Sequence, residues 1–141
     1  MPYATQQKRA LTGLISTAER PLTPAEIWRT GRHEIPSLGI ATVYRMLKQL
    51  MKAGQVRVVD IPGAPPHYEC TARQHHHFFV CQQCRQLYTL EGCVPGVGAL
   101  VPKGFSVNRH EIVLYGACRD CRAIPRTAAK PRKGGPGHGD R

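Results

Sequence analysis

Two Cys-x-x-Cys pairs, Cys81/Cys84 and Cys118/Cys121, supply four thiolates, the ligand set that closes a tetrahedral zinc site. Two intervening residues let both sulfurs of a tight turn point the same way, so each pair clamps one side of an ion. The expected role is structural, because zinc bound in this way contributes roughly 10 to 16 kcal/mol and can hold a module whose apolar core is marginal alone. Two disulfides are the alternative pairing. No apolar signal segment occupies the first residues, and an intracellular setting keeps thiols reduced, which favours the metal. A second set of metal-competent groups is the run His75-His76-His77. In a strand, His75 and His77 point to one face and His76 to the other, so two different sites can share the run.

Positioning these ligands falls to a chain of 141 residues with a formal net charge of +11. That length allows one medium domain or two small ones, and a zinc-braced module favours two. No stretch approaches the roughly 20 apolar residues that span a bilayer, so the expectation is a soluble, cytoplasmic protein with no membrane partner. The positive excess suits a polyanion, since each phosphate neutralised releases condensed counterions. A solvated basic surface with no nucleic-acid role is the plain alternative.

Over residues 5–17, apolar Ala10, Leu11, Leu14 and Ile15 recur at helical spacing, with Lys8 and Arg9 toward the opposite face. A second helix is expected over 24–31, with Thr23 as N-cap, Pro24 in the first position and Glu26 closing a capping box. A third runs over 40–53 and stops at Gly54; it buries Val43, Leu47 and Leu50 and leaves Tyr44, Arg45 and Lys48 free. Alternation over 55–61 and 67–70, broken by Pro62-Gly63-Ala64-Pro65-Pro66, reads as a two-stranded ribbon. Three helices and a ribbon follow the order of a winged helix, whose third helix enters the major groove; a small unrelated α+β domain fits the same periodicities. Strands are then expected over 76–80, 86–90 and 109–115, and residues 125–141 form a disordered basic tail with almost nothing to bury. The division is 1–71, 72–124 and 125–141.

The string Gly39-Ile40-Ala41-Thr42-Val43-Tyr44-Arg45, the histidine run, both cysteine pairs and His110-Glu111-Ile112-Val113-Leu114-Tyr115-Gly116 occur in that order. Together they resemble the ferric uptake regulator superfamily over about residues 5–122. The resemblance implies an α+β protein: an N-terminal winged helix-turn-helix DNA-binding domain, and a small C-terminal α/β dimerisation domain carrying the four-cysteine zinc site. It further implies a metal-responsive, homodimeric transcriptional repressor bound to double-stranded DNA at a palindromic operator. In such a protein Tyr44 packs on a thymine methyl, Arg45 and Lys48 meet phosphates or a guanine edge, and Thr42 reaches a phosphate. Lys8, Arg9 and Arg57 flank the groove as backbone contacts.

Laid on the family's pattern, His75, His77 and His110 fall on three positions of a metal site in the dimerisation domain, and Cys93 falls where a carboxylate usually stands. Three imidazoles and a thiolate favour zinc over ferrous iron or manganese, which prefer more oxygen. The implied branch is therefore the zinc uptake regulator, with one structural and at least one regulatory Zn²⁺ per monomer; an iron-responsive repressor is the alternative. Glu69 and His76 match two ligands of the family's hinge site. Its other histidines are replaced, near Pro21 and at Phe78, leaving His67 or Cys70 as substitutes. Two rivals come from other classes. A zinc hydrolase or deaminase needs a general-base Glu beside a ligand His, and no His-x-Glu precedes either cysteine pair. A zinc-ribbon RNA-binding protein explains the charge and the cysteines, but neither the Ala-Thr-Val-Tyr-Arg helix nor the histidines.

Overall fold

Three helices open the chain: α1 (Tyr3–Thr17), α2 (Pro24–Glu34) and α3 (Ile40–Lys52). The computed structural model describes residues 2–123, so the tail expected over 125–141 lies outside the described residues. Thr23 caps α2 as its spacing requires: its Oγ1 accepts from the Glu26 N–H at 3.2 Å, and a Glu26 carboxylate oxygen accepts from the Thr23 N–H at 2.8 Å. The helix outruns the expected end at residue 31, because Arg32 and His33 in the last turn complement its negative end and the Ile35 N–H reaches back to the Gly31 carbonyl. At the end of α3, Gly54 takes φ of +71°, a left-handed turn that a residue with a Cβ enters at a cost. Leu11 and Ile15 of α1, Ile27 of α2, and Val43, Met46, Leu47 and Leu50 of α3 bury one another with Leu38 and Val56 to form the first core. Gly31 permits the approach: a Cβ there would stand 2.8 Å from a Leu38 methyl.

The ribbon follows as β1 (Val56–Val59) and β2 (His67–Cys70), antiparallel, with Arg57 opposite Glu69. Leu22 bridges to Tyr68 on the free edge of β2, so the segment between α1 and α2 is stitched to the wing. A three-stranded sheet then forms from β3 (His76–Cys81), β4 (Leu87–Glu91) and β5 (Val113–Gly116), in the order β4-β3-β5. β4 runs antiparallel to β3, whereas β5 runs parallel to it, with Phe78 opposite Val113 and Cys81 opposite Gly116. The strand expected over 109–115 begins later, because the Ile112 N–H is taken by the His77 ring instead of by a neighbouring strand. Between β4 and β5 lies one 3₁₀ turn, Val97–Leu100, and after β5 a one-turn helix α4 (Arg119–Arg122) that periodicity did not foretell.

A second core of Val59, Ile61, Val80 and Leu87, flanked by Ala64, Phe78 and Val113, draws on residues from both sides of position 71. Wing and sheet therefore share buried apolar surface. Among the described residues no helix is long and apolar enough to cross a membrane.

Thr23→Ala removes one half of the reciprocal cap and should lower stability by about 1 kcal/mol. A shift in the denaturant midpoint, followed by the fluorescence of the lone Trp28 on the same helix, measures it.

Candidate metal centres and nucleic-acid interface

Cys81 ends β3, and the tight turn after it, closed by the Arg85 N–H on the Cys81 carbonyl, carries Cys84. Arg85 itself adopts φ of +61° to complete that turn. Cys118 precedes α4 and Cys121 lies within it, so both pairs sit on single turns whose sulfurs converge. All four Sγ atoms lie within 4.8 Å of one another, with Cys84 and Cys118 at 3.9 Å. A tetrahedral ion with sulfur bonds of about 2.3 Å holds its donors roughly 3.8 Å apart, so the residues fit zinc.

The electrostatics of this cluster are unequal. Burial pushes the Cys81 thiol up, but the Cys118, Cys84 and Gln83 backbone amides outweigh it and bring Cys81 down to about 6. Cys118 is also lowered, first by the Cys121 amide and then by the Tyr88 hydroxyl, which is itself driven up to about 12 by donating to that sulfur. Burial raises Cys84, and the neighbouring Cys118 sulfur raises Cys121 to about 12. Four thiolates at this spacing repel, and a cation joining them relieves that repulsion.

At the opposite end of the sheet, His75 and His77 meet His110 and Cys93. The Nε2 of His75 lies 3.1 Å from that of His77 and 3.2 Å from that of His110, and the Cys93 sulfur is 2.9 Å from His110 Nε2 and 3.3 Å from His77 Nε2. These four ligand atoms, too, fall within 4.8 Å of one another. Nitrogen donors at about 2.0 Å from a tetrahedral ion stand roughly 3.3 Å apart, so this set also fits. Burial, then the nearby His75 and His110 rings, lowers the pKa of His77 and favours its neutral form, the one that ligates. The Ile112 N–H on His77 Nδ1 pins the ring, an orienting contact that no spacing in the sequence announced.

The third set does not assemble. His76 Nε2 lies 2.9 and 3.1 Å from the two Glu69 oxygens, as strand alternation predicts, and both residues are buried. His67 turns elsewhere: its Nδ1 lies against the Pro65 carbonyl, and its ring lines a cavity with Thr23, Glu26 and Cys84. Phe78, next along the same face as His76, packs its ring edge-on at 5.1 Å. Among the described residues only two groups of three or more metal-ligating side chains converge, and Glu69 and His76 belong to neither. Glu69 and His76 thus bring two donors together without a third among the described residues.

On α3, Val43, Met46, Leu47 and Leu50 face inward, while Tyr44, Arg45 and Lys48 are exposed and Thr42 is half-buried, 3.3 Å from an Arg45 nitrogen. On α1, Arg9 is exposed and Lys8 half-buried. Arg57 differs from the expected free phosphate contact, because its guanidinium is committed to Glu69. The cross-strand register of the ribbon sets Arg57 directly opposite Glu69.

The model of the ferric uptake regulator family matches residues 3–115. The ferric uptake regulation protein of Campylobacter jejuni is 31% identical over 122 residues, 83% of this chain and 78% of that protein. Its counterpart in Neisseria meningitidis serogroup A is 30% identical over 111 residues, 75% of this chain and 76% of that one. The solved ferric uptake regulator of Helicobacter pylori shares the fold with a TM-score of 0.70 at 22% identity, over 84% of this chain and 81% of that one.

For the thiol cluster, capture of an ion must displace the protons of Cys84 and Cys121, so retention weakens as pH falls. Stepping the pH from about 8 to about 5 should speed extraction of the bound zinc by a colorimetric chelator.

Proposed function

The chain belongs to the ferric uptake regulator family, and from that premise we propose that it is a zinc-responsive transcriptional repressor controlling zinc uptake genes in the cytoplasm. The observation that carries the choice of metal is the donor set His75, His77, Cys93 and His110: three nitrogens, one sulfur and no carboxylate. Zinc held there would supply a divalent charge that draws four side chains from three parts of the chain to one point. The four-cysteine cluster is the framework site, filled permanently, with the second ion per monomer as the signal.

The protein acts as a homodimer on a palindromic operator. Leu100, Phe105, Leu114 and Tyr115 are exposed on or before β5, and β5 is an outer strand of its sheet; a second copy docked against this edge would bury apolar surface. Two copies place two α3 helices on one face of DNA, each offering Tyr44, Arg45, Lys48 and Thr42 to the major groove. Lys8 and Arg9 reach the flanking phosphates. To regulate, zinc must prefer the DNA-competent conformer by roughly 1 to 3 kcal/mol.

Titrating operator binding with zinc, ferrous iron and manganese, on protein that keeps its four-thiolate ion, tests the reading. Zinc should act at the lowest free concentration; equal activation by ferrous iron would transfer the protein to the iron-responsive branch. Cys93→Ser should leave the fold intact and weaken the zinc response about 10-fold or more. A Cys93→Ser protein that unfolds would place Cys93 in the structural framework. Tyr44→Ala and Arg45→Ala should each cost about 1 to 3 kcal/mol of operator affinity in gel-shift titrations without altering zinc content. Stronger binding to structured RNA than to duplex DNA would favour the zinc-ribbon alternative instead.

A further inference from the structure

Glu69 is 1% exposed, on the wing strand β2, and a carboxylate that deep is stable only when its charge is met. Two groups meet it. From the neighbouring strand β1, directly opposite in register, Arg57 brings its guanidinium, with Nε 2.7 Å from Oε1. From the first residue of β3, His76 brings Nε2 to 2.9 Å from Oε2, while its Nδ1 faces the Gln74 carbonyl. The carboxylate is thus fully engaged by the protein itself. It also stands at the seam where the wing meets the sheet, lining one cavity with Val59 and Ile61 of the shared core and with His76 of β3.

We propose that the Arg57 guanidinium serves as a built-in cation at this seam: Arg57, Glu69 and His76 form an ion-paired joint that fixes the wing to the dimerisation sheet without any metal. Four features favour a guanidinium over an ion at this point. The third ligand position along β3 is Phe78, which offers no donor. His67 is turned away against Pro65. An arginine is charged at every physiological pH and needs no supply from the cell. Its Nε and Nη2 both donate to Oε1, and the nearer His76 contact falls on Oε2, so each carboxylate oxygen has a partner from the protein. On the zinc-sensing reading, a metal-free joint leaves the His75, His77, Cys93 and His110 cluster as the sensing site among the described residues.

The test is an ion count on the full chain, and its outcome does not depend on whether zinc regulates DNA binding. In a His110→Ala background, which disables the histidine–cysteine cluster, zinc per chain is measured at saturation after gel filtration, with and without Glu69→Gln. Equal counts are expected. Loss of about one ion on Glu69→Gln would overturn the proposal by showing a metal at the seam. Since Glu69→Gln can compromise folding, a second measurement uses Arg57→Met, whose side chain is half exposed and whose loss leaves both cores whole. Limited proteolysis over residues 71–75 should be about 10-fold faster in Arg57→Met, and return to within about 3-fold of the parent rate in Arg57→Lys, which retains the charge. Unchanged proteolysis in Arg57→Met would likewise overturn the joint, as would a failure of Arg57→Lys to rescue.

Discussion

The parallel pairing of β5 with β3 is the constraint on which the rest depends. Each strand of the small sheet is bounded by a metal-competent residue at both ends: His75 and His77 open β3 and Cys81 closes it, Cys84 precedes β4 and Cys93 follows it, and His110 precedes β5 while Cys118 follows it. With β4 antiparallel and β5 parallel to β3, the histidines and Cys93 gather at one end and the remaining cysteines at the other. Were β5 reversed, His110 would lie beside Cys81 and Cys118 beside His75, and neither cluster would close. About five residues of strand, at roughly 3.3 Å each, separate the two centres.

That arrangement compensates for a thin interior. Nine buried side chains fill the first core, whereas the second is four, and two of those four, Val59 and Ile61, belong to the wing side of the chain. Metal ions at the two clusters would cross-link both ends of the three-stranded sheet and replace the burial that so short a segment cannot provide. The amides of Cys84 and Cys118, 3.5 and 3.4 Å from the Cys81 sulfur, show the backbone already organised around negative sulfur.

What the sequence disclosed and what it concealed divide along the range of the interaction involved. The Thr23–Glu26 cap, the Gly54 stop and the inward face of α3 rest on contacts a few residues apart, and each is found as its spacing predicts. The alternation of His75, His76 and His77 is equally local, and the structure sends them to opposite faces. Hidden were the contacts set by strand partners: the late start of β5, caused by the His77 ring taking the Ile112 amide, and the capture of Arg57 by Glu69. The family resemblance implied Arg57 as a phosphate contact flanking the groove. Its real partner is twelve positions away and opposite in register. The one-turn helix α4 escaped for a related reason, being held by the Arg122 N–H on the Cys118 carbonyl within a metal-binding turn instead of by an apolar stripe.

The two clusters also differ in the freedom they remove. Each cysteine pair is held within a single tight turn, so an ion there orders little that is not already ordered. Cys93 and His110 instead bracket residues 94–109, a largely exposed stretch with one 3₁₀ turn, and joining them through an ion closes that stretch into a loop. Ordering that exposed stretch costs entropy, which on the zinc-sensing reading lowers the affinity at this end of the sheet. On the zinc-sensing reading, that inequality is what separates a permanent ion from a reversible one. Leu100 and Phe105 lie inside the closed loop, so the ion that pays its ordering cost also fixes the apolar side chains a second copy would cover. On the same reading, occupancy and dimer geometry are linked through one segment, and the proposed seam at Arg57 and Glu69 would carry the resulting orientation to the wing.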